Sequence, residues 1–373
     1  MVMKLKVVGL ICEYNPFHNG HKYHLEMTKK ITNADVIITI ITGYFSMRGD
    51  LSVLNKYDKT KIAIDEGANI VIELPYLLGT QSAKEFAYNA ITLLNRMQVN
   101  EIIAGSELND LEIIKKISEF EDSPQFENWI KTNLKKGYSY RKCFSLALNE
   151  FLNIELNSND LLNLKYYDAI KKINPNIKLT LIQRINNDYL HKKINDTNIQ
   201  SATSLRNAKD IYGYVPNYIY EIYKKNGFYN MEVFTKILKH SIITKNLHNV
   251  FQAKEGIENL FNQNFNSINQ LIENSLSKRY KESRIKRFIS YIITDTTLED
   301  VEKATTSLIR ILGFDTIGKS YLNKIKKEVS FFTNIKNDIS HTADFELKIA
   351  KIMSNAFDID FIKIEQKLPY IKE

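Results

Sequence analysis

Cysteine is nearly absent: Cys12 and Cys143 are the only two in the chain. Such a count makes a disulfide framework implausible and a cysteine-based zinc site almost impossible. Glycine and proline are sparse too, at 13 and 6 of 373 residues, so the sequence carries no long flexible linker and no low-complexity tract. No window approaches ~18 uncharged apolar residues, the length a membrane-spanning helix requires. The segment Met1 to Ile11 holds two lysines and a short apolar run. It enters Cys12-Glu13-Tyr14 without a small-residue cleavage pattern, so it reads as a first core strand rather than a signal peptide, and the protein as cytoplasmic.

What the sequence does have is ordinary globular composition, 44% hydrophobic and 25% charged. That excludes a disordered chain, a collagen and a coiled-coil rod. The length suggests two domains, possibly three, at roughly 150 residues each. Net charge is +8, of which +5 lies in residues 216–373, with 24 basic and 19 acidic residues. A polyanionic partner is permitted but not demanded, and charge leans toward the C-terminal part as the one to touch it.

Short apolar runs alternate with amphipathic stretches through the first half. Leu5–Cys12, Val36–Thr42, Asn69–Leu74, Glu101–Ala104 and Ile177–Ile185 read as strands. Asn19–Thr32, Lys56–Gly67 and Ser82–Met97 read as helices between them, the last opened by a Ser82/Glu85 capping box. This pattern predicts an α/β fold of βαβ units around a buried parallel sheet. About three further helical stretches, Asp110–Phe120, Pro124–Glu150 and Asn159–Lys172, form a helical insertion at about 108–175. Beyond Val215-Pro216 the strand-like runs mostly disappear. Helices are expected at Tyr218–Asn226, Met231–Lys239, Gly256–Asn262, Ile268–Leu276, Arg284–Ile293, Leu298–Leu312 and Gly318–Glu328. The expected division is therefore 1–215, a catalytic domain, and 216–373, a mainly α-helical domain. Parallel sheets bind ligands at the carboxyl ends of their strands, which singles out the segments that follow each strand.

The segment after the first strand is Glu13-Tyr14-Asn15-Pro16-Phe17-His18-Asn19-Gly20-His21. Pro16 stops the strand, and a helix opens at Asn19-Gly20. The free N–H groups and positive dipole end of such a helix suit a phosphate. Gly20 has no Cβ, so a nucleotide can pack on its backbone. His18 and His21, three apart, can point to the same side and donate to phosphate oxygens as charge builds. His-x-Gly-His between a first strand and a helix is the signature of the nucleotidyltransferase superfamily that includes the class I aminoacyl-tRNA synthetases. The alternatives for the pair are helix capping, a place in the core, or metal binding, for which no third ligand is spaced sensibly. No metal-ligating set is expected. Members usually carry a second motif late in the fold, a Ser/Thr-rich turn ending in Arg or Lys. Ser201-Ala202-Thr203-Ser204-Leu205-Arg206 fits it, with Arg206 placed to take the β- and γ-phosphates; its alternative is an ordinary capped helix with a solvated Arg.

Taken together the blocks resemble one family, the bacterial tRNA(Met) cytidine acetate ligases. The resemblance rests on Gly9-Leu10 with Glu13–His21, then Gly43–Asp50, Glu73-Leu74-Pro75, Ser82–Ala87 and Gly105-Ser106-Glu107. It continues through Asn159–Leu162, Arg184-Ile185, Ser201–Arg206, Lys278–Tyr280, Arg284–Arg287 and Ile309–Phe314, and so covers nearly the whole chain. It implies a Rossmann-like, HUP-type nucleotidyltransferase domain followed by helices that bind tRNA. It implies an enzyme that uses ATP, with Mg²⁺ on its phosphates, to activate acetate as acetyl-adenylate. The acetyl group would pass to N4 of the wobble cytidine of elongator tRNA(Met), giving N4-acetylcytidine. The implied ATP site takes in Ile11, Cys12, Glu13, Tyr14, Asn15, Pro16, Phe17, His18, Asn19, Gly20, His21, Lys22, Tyr23 and His24. Gly105, Asn159 and Arg184 follow, with Ser201 and Ser204 from the second motif. His18, His21 and Arg206 carry the catalytic roles. On local grounds Gly105 also reads as a tight turn, Asn159 as an N-cap and Arg184 as a surface ion pair. Two departures stand out: the family usually has Gly where this chain has Asn163, and a Gly-Ala-Gly-Tyr-His stretch where it has Asn186–His191.

Arg48, in the loop after the second strand, reads as a solvated charge or as a contact for acetate, phosphate or RNA. Lys278, Arg279, Lys281, Arg284, Lys286 and Arg287 put six positive charges in ten residues against Glu282. With Tyr280 and Phe288 interleaved they are expected to hold a tRNA backbone and stack a base, the alternative being a solvated helix face. Two rival functions remain: an adenylyltransferase acting on a phosphorylated small molecule, and a non-catalytic RNA-binding protein.

Overall fold

A computed structural model describes residues 5–185, 199–336 and 339–373. The Asn186–His191 stretch lies outside the described residues. The five predicted strands form as β1 (Val7–Cys12), β2 (Val36–Thr42), β3 (Ile70–Leu74), β4 (Glu101–Ser106) and β5 (Lys178–Gln183). Val, Ile and Leu dominate them, and β2 and β3 are buried at every position, as strands covered by helices on both faces must be. They pair in parallel in the order β5-β4-β1-β2-β3. The chain winds outward from β1 through β2 and β3, then returns to place β4 on the other side of β1. The crevice between the carboxyl ends of β1 and β4 is therefore the topological switch point.

The helix Asn19–Thr32 has the predicted bounds. Lys56–Asp65, Ala83–Arg96 and Ser158–Ile173 fall within two residues of expectation. The stretch Pro124–Glu150 divides into Pro124–Lys135 and Tyr140–Leu152 around Gly137, whose φ is +82°. At Ala83–Arg96 the expected capping box is not formed: the Ser82 hydroxyl donates to the Glu85 carboxylate instead of accepting from the backbone.

The C-terminal part is mainly helical, as expected, with one correction. Leu298–Leu312 is not one helix. A short helix Leu298–Glu302 ends, and Ile309–Phe314 forms β6, antiparallel to β3. Six residues, five of them buried, satisfy a sheet better than a helix, and periodicity cannot separate the two in so short an apolar run. β7 (Phe331–Phe332) and β8 (Tyr370–Ile371) then pair with β6, making eight strands among the described residues. The division expected at 215/216 is thus crossed by strands that return to the sheet of the N-terminal half. A long helix, His341–Phe357, absent from the sequence reading, packs Phe345 and Ile349 into the C-terminal core.

The return is locked by buried charge. Lys56 Nζ lies 2.9 Å from both Glu346 and Glu365 and also bonds Glu73. Arg310 of β6 reaches Glu73 at 3.0 Å, Tyr57 Oη at 3.0 Å, and Glu365. All five charged groups are almost wholly buried. Burial raises the Glu346 carboxyl to about 7. Burial would raise Glu365 too, but Lys56 and Arg310 outweigh it and hold it at about 2.

Candidate functional site

The carboxyl ends of β1, β4 and β5 open onto a cleft of about 1440 Å³, its mouth included. Of the predicted run Ile11–His24, all but Pro16, Phe17, Asn19 and Lys22 line it. Gly105, Asn159, Arg184, Ser201 and Arg206 line it as well. The outliers serve the frame. Phe17 is in the core, with its N–H donating to Tyr223 Oη at 2.7 Å. Asn19 Nδ2 donates to Gly213 O at 3.0 Å, and Lys22 pairs with Glu66 at 3.5 Å. Ser204 is buried, its hydroxyl 2.6 Å from that of Ser201.

The two histidines form a reciprocal cap. Gly20 N–H donates to His18 Nδ1 at 3.0 Å, and His18 N–H donates to His21 Nδ1 at 3.2 Å. The rings stack with centroids 3.8 Å apart. Burial, with help from Arg184, depresses His18 to about 3. Burial and then His18, Arg184 and His24 hold His21 well below its usual value. Both imidazoles are therefore neutral, with Nδ1 spent as acceptor and the proton on Nε2. Capping, set apart in the sequence as an alternative to phosphate donation, is formed through Nδ1 and leaves Nε2–H as the donor of each ring. Gly20 lines the cleft, and a Cβ there would stand 2.9 Å from His18 Cε1, so the cap gives a second reason for glycine at this position.

Around this pair the other predicted residues are held by specific partners. Arg206 Nη1 donates to Asn15 O at 2.7 Å, which fixes the guanidinium against the end of β1. Asn15 itself bridges strand ends, accepting from Val53 N–H at 2.8 Å and donating to Leu51 O at 3.2 Å. Glu107, after β4, accepts from Asn159 and pairs with Arg184 at 3.3 Å. Asn159 is thus not the N-cap, which is Asn157. Asn163 Nδ2 donates to Gly105 O at 3.1 Å. Cys12 lines the cleft, but burial pushes its thiol up to about 12, so it packs rather than reacts.

Several lining residues were not read as site residues in the sequence. Met47, Arg48 and Asp50 come from the loop after β2, where the strand-end rule pointed but only Arg48 was singled out. Lys59, buried beneath the site, donates to Thr42 O at 2.7 Å, Ser52 Oγ at 2.9 Å and Glu13 O at 3.2 Å. It ties the ends of β1 and β2 together, and burial pulls its pKa down to about 7. Nothing local marks such a lysine, because its partners come from separate strands.

Glu13 and Asp50, which line the cleft, are engaged by protein donors: Glu13 accepts from Met47 N–H at 2.6 Å and Asp50 pairs with Lys286 at 2.7 Å. Glu107, beside the cleft, holds Asn159 and Arg184 through Oε1, while its Oε2 is buried without a hydrogen-bond partner among the described residues. Three carboxylates close enough to share a cation do occur among the described residues, at Glu73, Glu346 and Glu365, but Lys56 Nζ already stands among them.

The basic cluster is less open than its sequence. Lys278, Arg279 and Lys281 are exposed. Arg284 pairs with Glu255 at 2.7 Å, and Lys286 with Asp50 at 2.7 Å and Glu282 at 2.6 Å. Arg287 is largely enclosed, and burial lowers its pKa. The expected stacking role for Tyr280 and Phe288 is corrected: both rings are in the core and offer no face.

Comparison with known proteins agrees with this geometry. Residues 5–366 match the HIGH nucleotidyl transferase family. The tRNA(Met) cytidine acetate ligase of Caldicellulosiruptor bescii is 35% identical, over 97% of this chain and 96% of its own. That of Clostridium perfringens (strain ATCC 13124) is 33% identical, over 94% and 95%. Among solved structures, Thermotoga maritima TmcAL in its apo form I superposes with a TM-score of 0.88 at 26% identity, covering 98% of this chain and 99% of that one. The form II crystal of the same protein, bound with alpha-thio ATP, gives 0.84 at 26% identity over the same shares. No helix among the described residues is long and apolar enough to cross a membrane.

Proposed function

Because the chain belongs to the HIGH nucleotidyl transferase family, among its tRNA(Met) cytidine acetate ligases, we propose that ATP and acetate react in this cleft and that tRNA receives the acetyl group. The observation that carries the proposal is the pair of neutral Nε2–H donors at a helix N-terminus, beside a fixed arginine at the switch point. Such neutral donors can bond phosphate oxygens, and the bonds strengthen as those oxygens gain charge in the transition state.

An acetate oxygen attacks the α-phosphorus, the bond to the β-phosphate oxygen breaks, and pyrophosphate leaves. His18 and His21 stabilise the α-phosphate oxygens, while Arg206 holds the departing pyrophosphate. The acetyl-adenylate then meets N4 of the wobble cytidine of elongator tRNA(Met). A new C–N bond forms, AMP leaves, and the amine loses a proton. The exocyclic amine is a poor nucleophile, so the base must be extruded and held, which is the work we assign to the C-terminal helices. Lys278, Arg279 and Lys281 supply the phosphate contacts there. Glu13 and Asp50, which line the cleft, already accept from protein donors, so we assign Mg²⁺ to the triphosphate as part of the substrate.

The test is transfer of labelled acetate to bulk bacterial tRNA, with and without ATP, read by nucleoside mass spectrometry. ATP-dependent label in N4-acetylcytidine, lost in His21→Ala, is the expected result. Label absent, with ATP consumed only when a phosphorylated small molecule is supplied, would replace this reading with an adenylyltransferase.

A further inference from the structure

Lys286 sits in the basic cluster by sequence, yet its partners lie at the nucleotide cleft. Its Nζ is 2.7 Å from Asp50 Oδ1, and the other oxygen of Asp50 is 3.5 Å from Arg206 Nη2. We propose that Lys286 is a positioning residue for the cleft: it draws Asp50 toward itself and so keeps Arg206 open to the phosphates of ATP. The inference rests on the reading of the cleft as an ATP site.

The loop that carries Asp50 has little freedom to do otherwise. Ser46 N–H donates to Asp50 O at 2.8 Å, and Asp50 N–H to Ser46 Oγ at 3.0 Å. Met47 N–H is held by Glu13. Tyr44, Phe45 and Leu51 are buried in the core of the C-terminal helices. At Gly49 φ is +83°, and a Cβ would stand 2.4 Å from Arg287 N, so the loop backbone lies directly on the helix Glu282–Thr294. The loop thus presents the two oxygens of one carboxylate to two cations, Oδ1 to Lys286 on that helix and Oδ2 to Arg206 in the Ser201–Arg206 motif.

The distances show how the carboxylate divides. The contact to Lys286 is a full hydrogen-bonded ion pair, whereas the one to Arg206 is long. Arg206 rests otherwise on neutral oxygens, the Asn15 carbonyl at 2.7 Å and Thr203 Oγ1 at 3.3 Å. Neutral partners are more readily left for a phosphate than a closed carboxylate pair would be. Without Lys286, the partly buried Asp50 would have the arginines as its remaining cationic neighbours: Arg206 at 3.5 Å, and Arg48, whose charge also acts on it. It would close on Arg206 and compete with the triphosphate. Lys286 is also clamped by Glu282 at 2.6 Å, which makes it a poor hand for an RNA phosphate.

The test is ATP affinity of the full chain by titration calorimetry, with tRNA absent. Lys286→Met is expected to weaken ATP about fivefold to tenfold, the scale of one charge-assisted hydrogen bond. Lys286→Arg should retain most of the affinity. Asp50→Asn added to Lys286→Met should restore it, because the competing carboxylate is gone. In turnover, Lys286→Met should raise KM for ATP more than it lowers kcat. Native affinity in Lys286→Met, with tRNA binding lost instead, would overturn the inference and return Lys286 to the RNA surface. Weakened ATP binding that Asp50→Asn does not relieve would overturn it in favour of a purely structural role. Failure of the native protein to bind ATP would overturn both this inference and the ATP reading beneath it.

Discussion

An imidazole that accepts a hydrogen bond at Nδ1 has only Nε2 left for its proton. Backbone N–H groups can only donate, so the two bonds at 3.0 and 3.2 Å fix the tautomer of both motif histidines. Long-range ¹⁵N NMR of the imidazoles should show His18 neutral and protonated at Nε2 from pH 8 down past 5, given a pKa held at about 3. An Nδ1–H signal, or titration near 6.5, would contradict the arrangement. Gly20→Ala should be worse for activity than for folding. The added methyl would meet His18 Cε1 at 2.9 Å and push the ring off its cap. Loss of the cap costs about 1 kcal/mol in urea unfolding, whereas a displaced catalytic donor costs about a hundredfold or more in kcat. At this scale the sequence was legible where the cleft lining is local. His18, Gly20 and His21 lie within one turn and declare themselves. Asp50 and Lys59 do not, because one meets Lys286 from 236 residues away and the other stitches separate strand ends.

Strands β1 to β5 were legible because each apolar run is bounded by amphipathic stretches that cannot join it. β6 was missed because Ile309–Leu312 follows a genuine helix start, and the break at Thr305–Ser307 is made by tertiary contacts. One of these is the Thr305 N–H bond to Thr342 Oγ1 at 3.0 Å. What secures β6 is Arg310, through carboxylates it shares with Lys56. Lys56→Met would leave Glu73 and Glu365 to Arg310 alone and take from Glu346 its ion-pair partner. Breaking a buried pair in this way costs about 3–5 kcal/mol, enough to move the urea midpoint visibly. The same substitution at the exposed Lys303, paired only with its neighbour Glu299, should shift the midpoint little. Equal effects at the two lysines would deny the buried network its role.

The network also gives the whole molecule a pH dependence. Glu346 keeps its proton to about 7 when folded, while an unfolded glutamate releases it near 4.5. Between those values the folded state binds more protons, so this residue's contribution falls as pH rises. Glu346→Gln removes that term and keeps an acceptor for Tyr76 N–H, which bonds the carboxylate at 2.6 Å. Relative to the native chain, the variant should gain stability between pH 5 and pH 8 in urea unfolding. A gap that is constant with pH, or that widens against the variant, would show that Glu346 is ionised throughout. Glu365, held down at about 2, acts oppositely, and its share is lost only as pH falls below the usual carboxylate range.

The same lock sets a timetable for biosynthesis. Lys56 leaves the ribosome 309 residues before Glu365. At roughly 5–20 residues per second that interval is about 15 to 60 seconds. Through it the nascent N-terminal half carries the histidine motif, with the β3 edge open until β6 emerges and Lys56 short of Glu346 and Glu365. A product truncated before β6 keeps the β3 edge unpaired for good, and with it the exposed N–H and C=O row on which sheets of neighbouring chains can add.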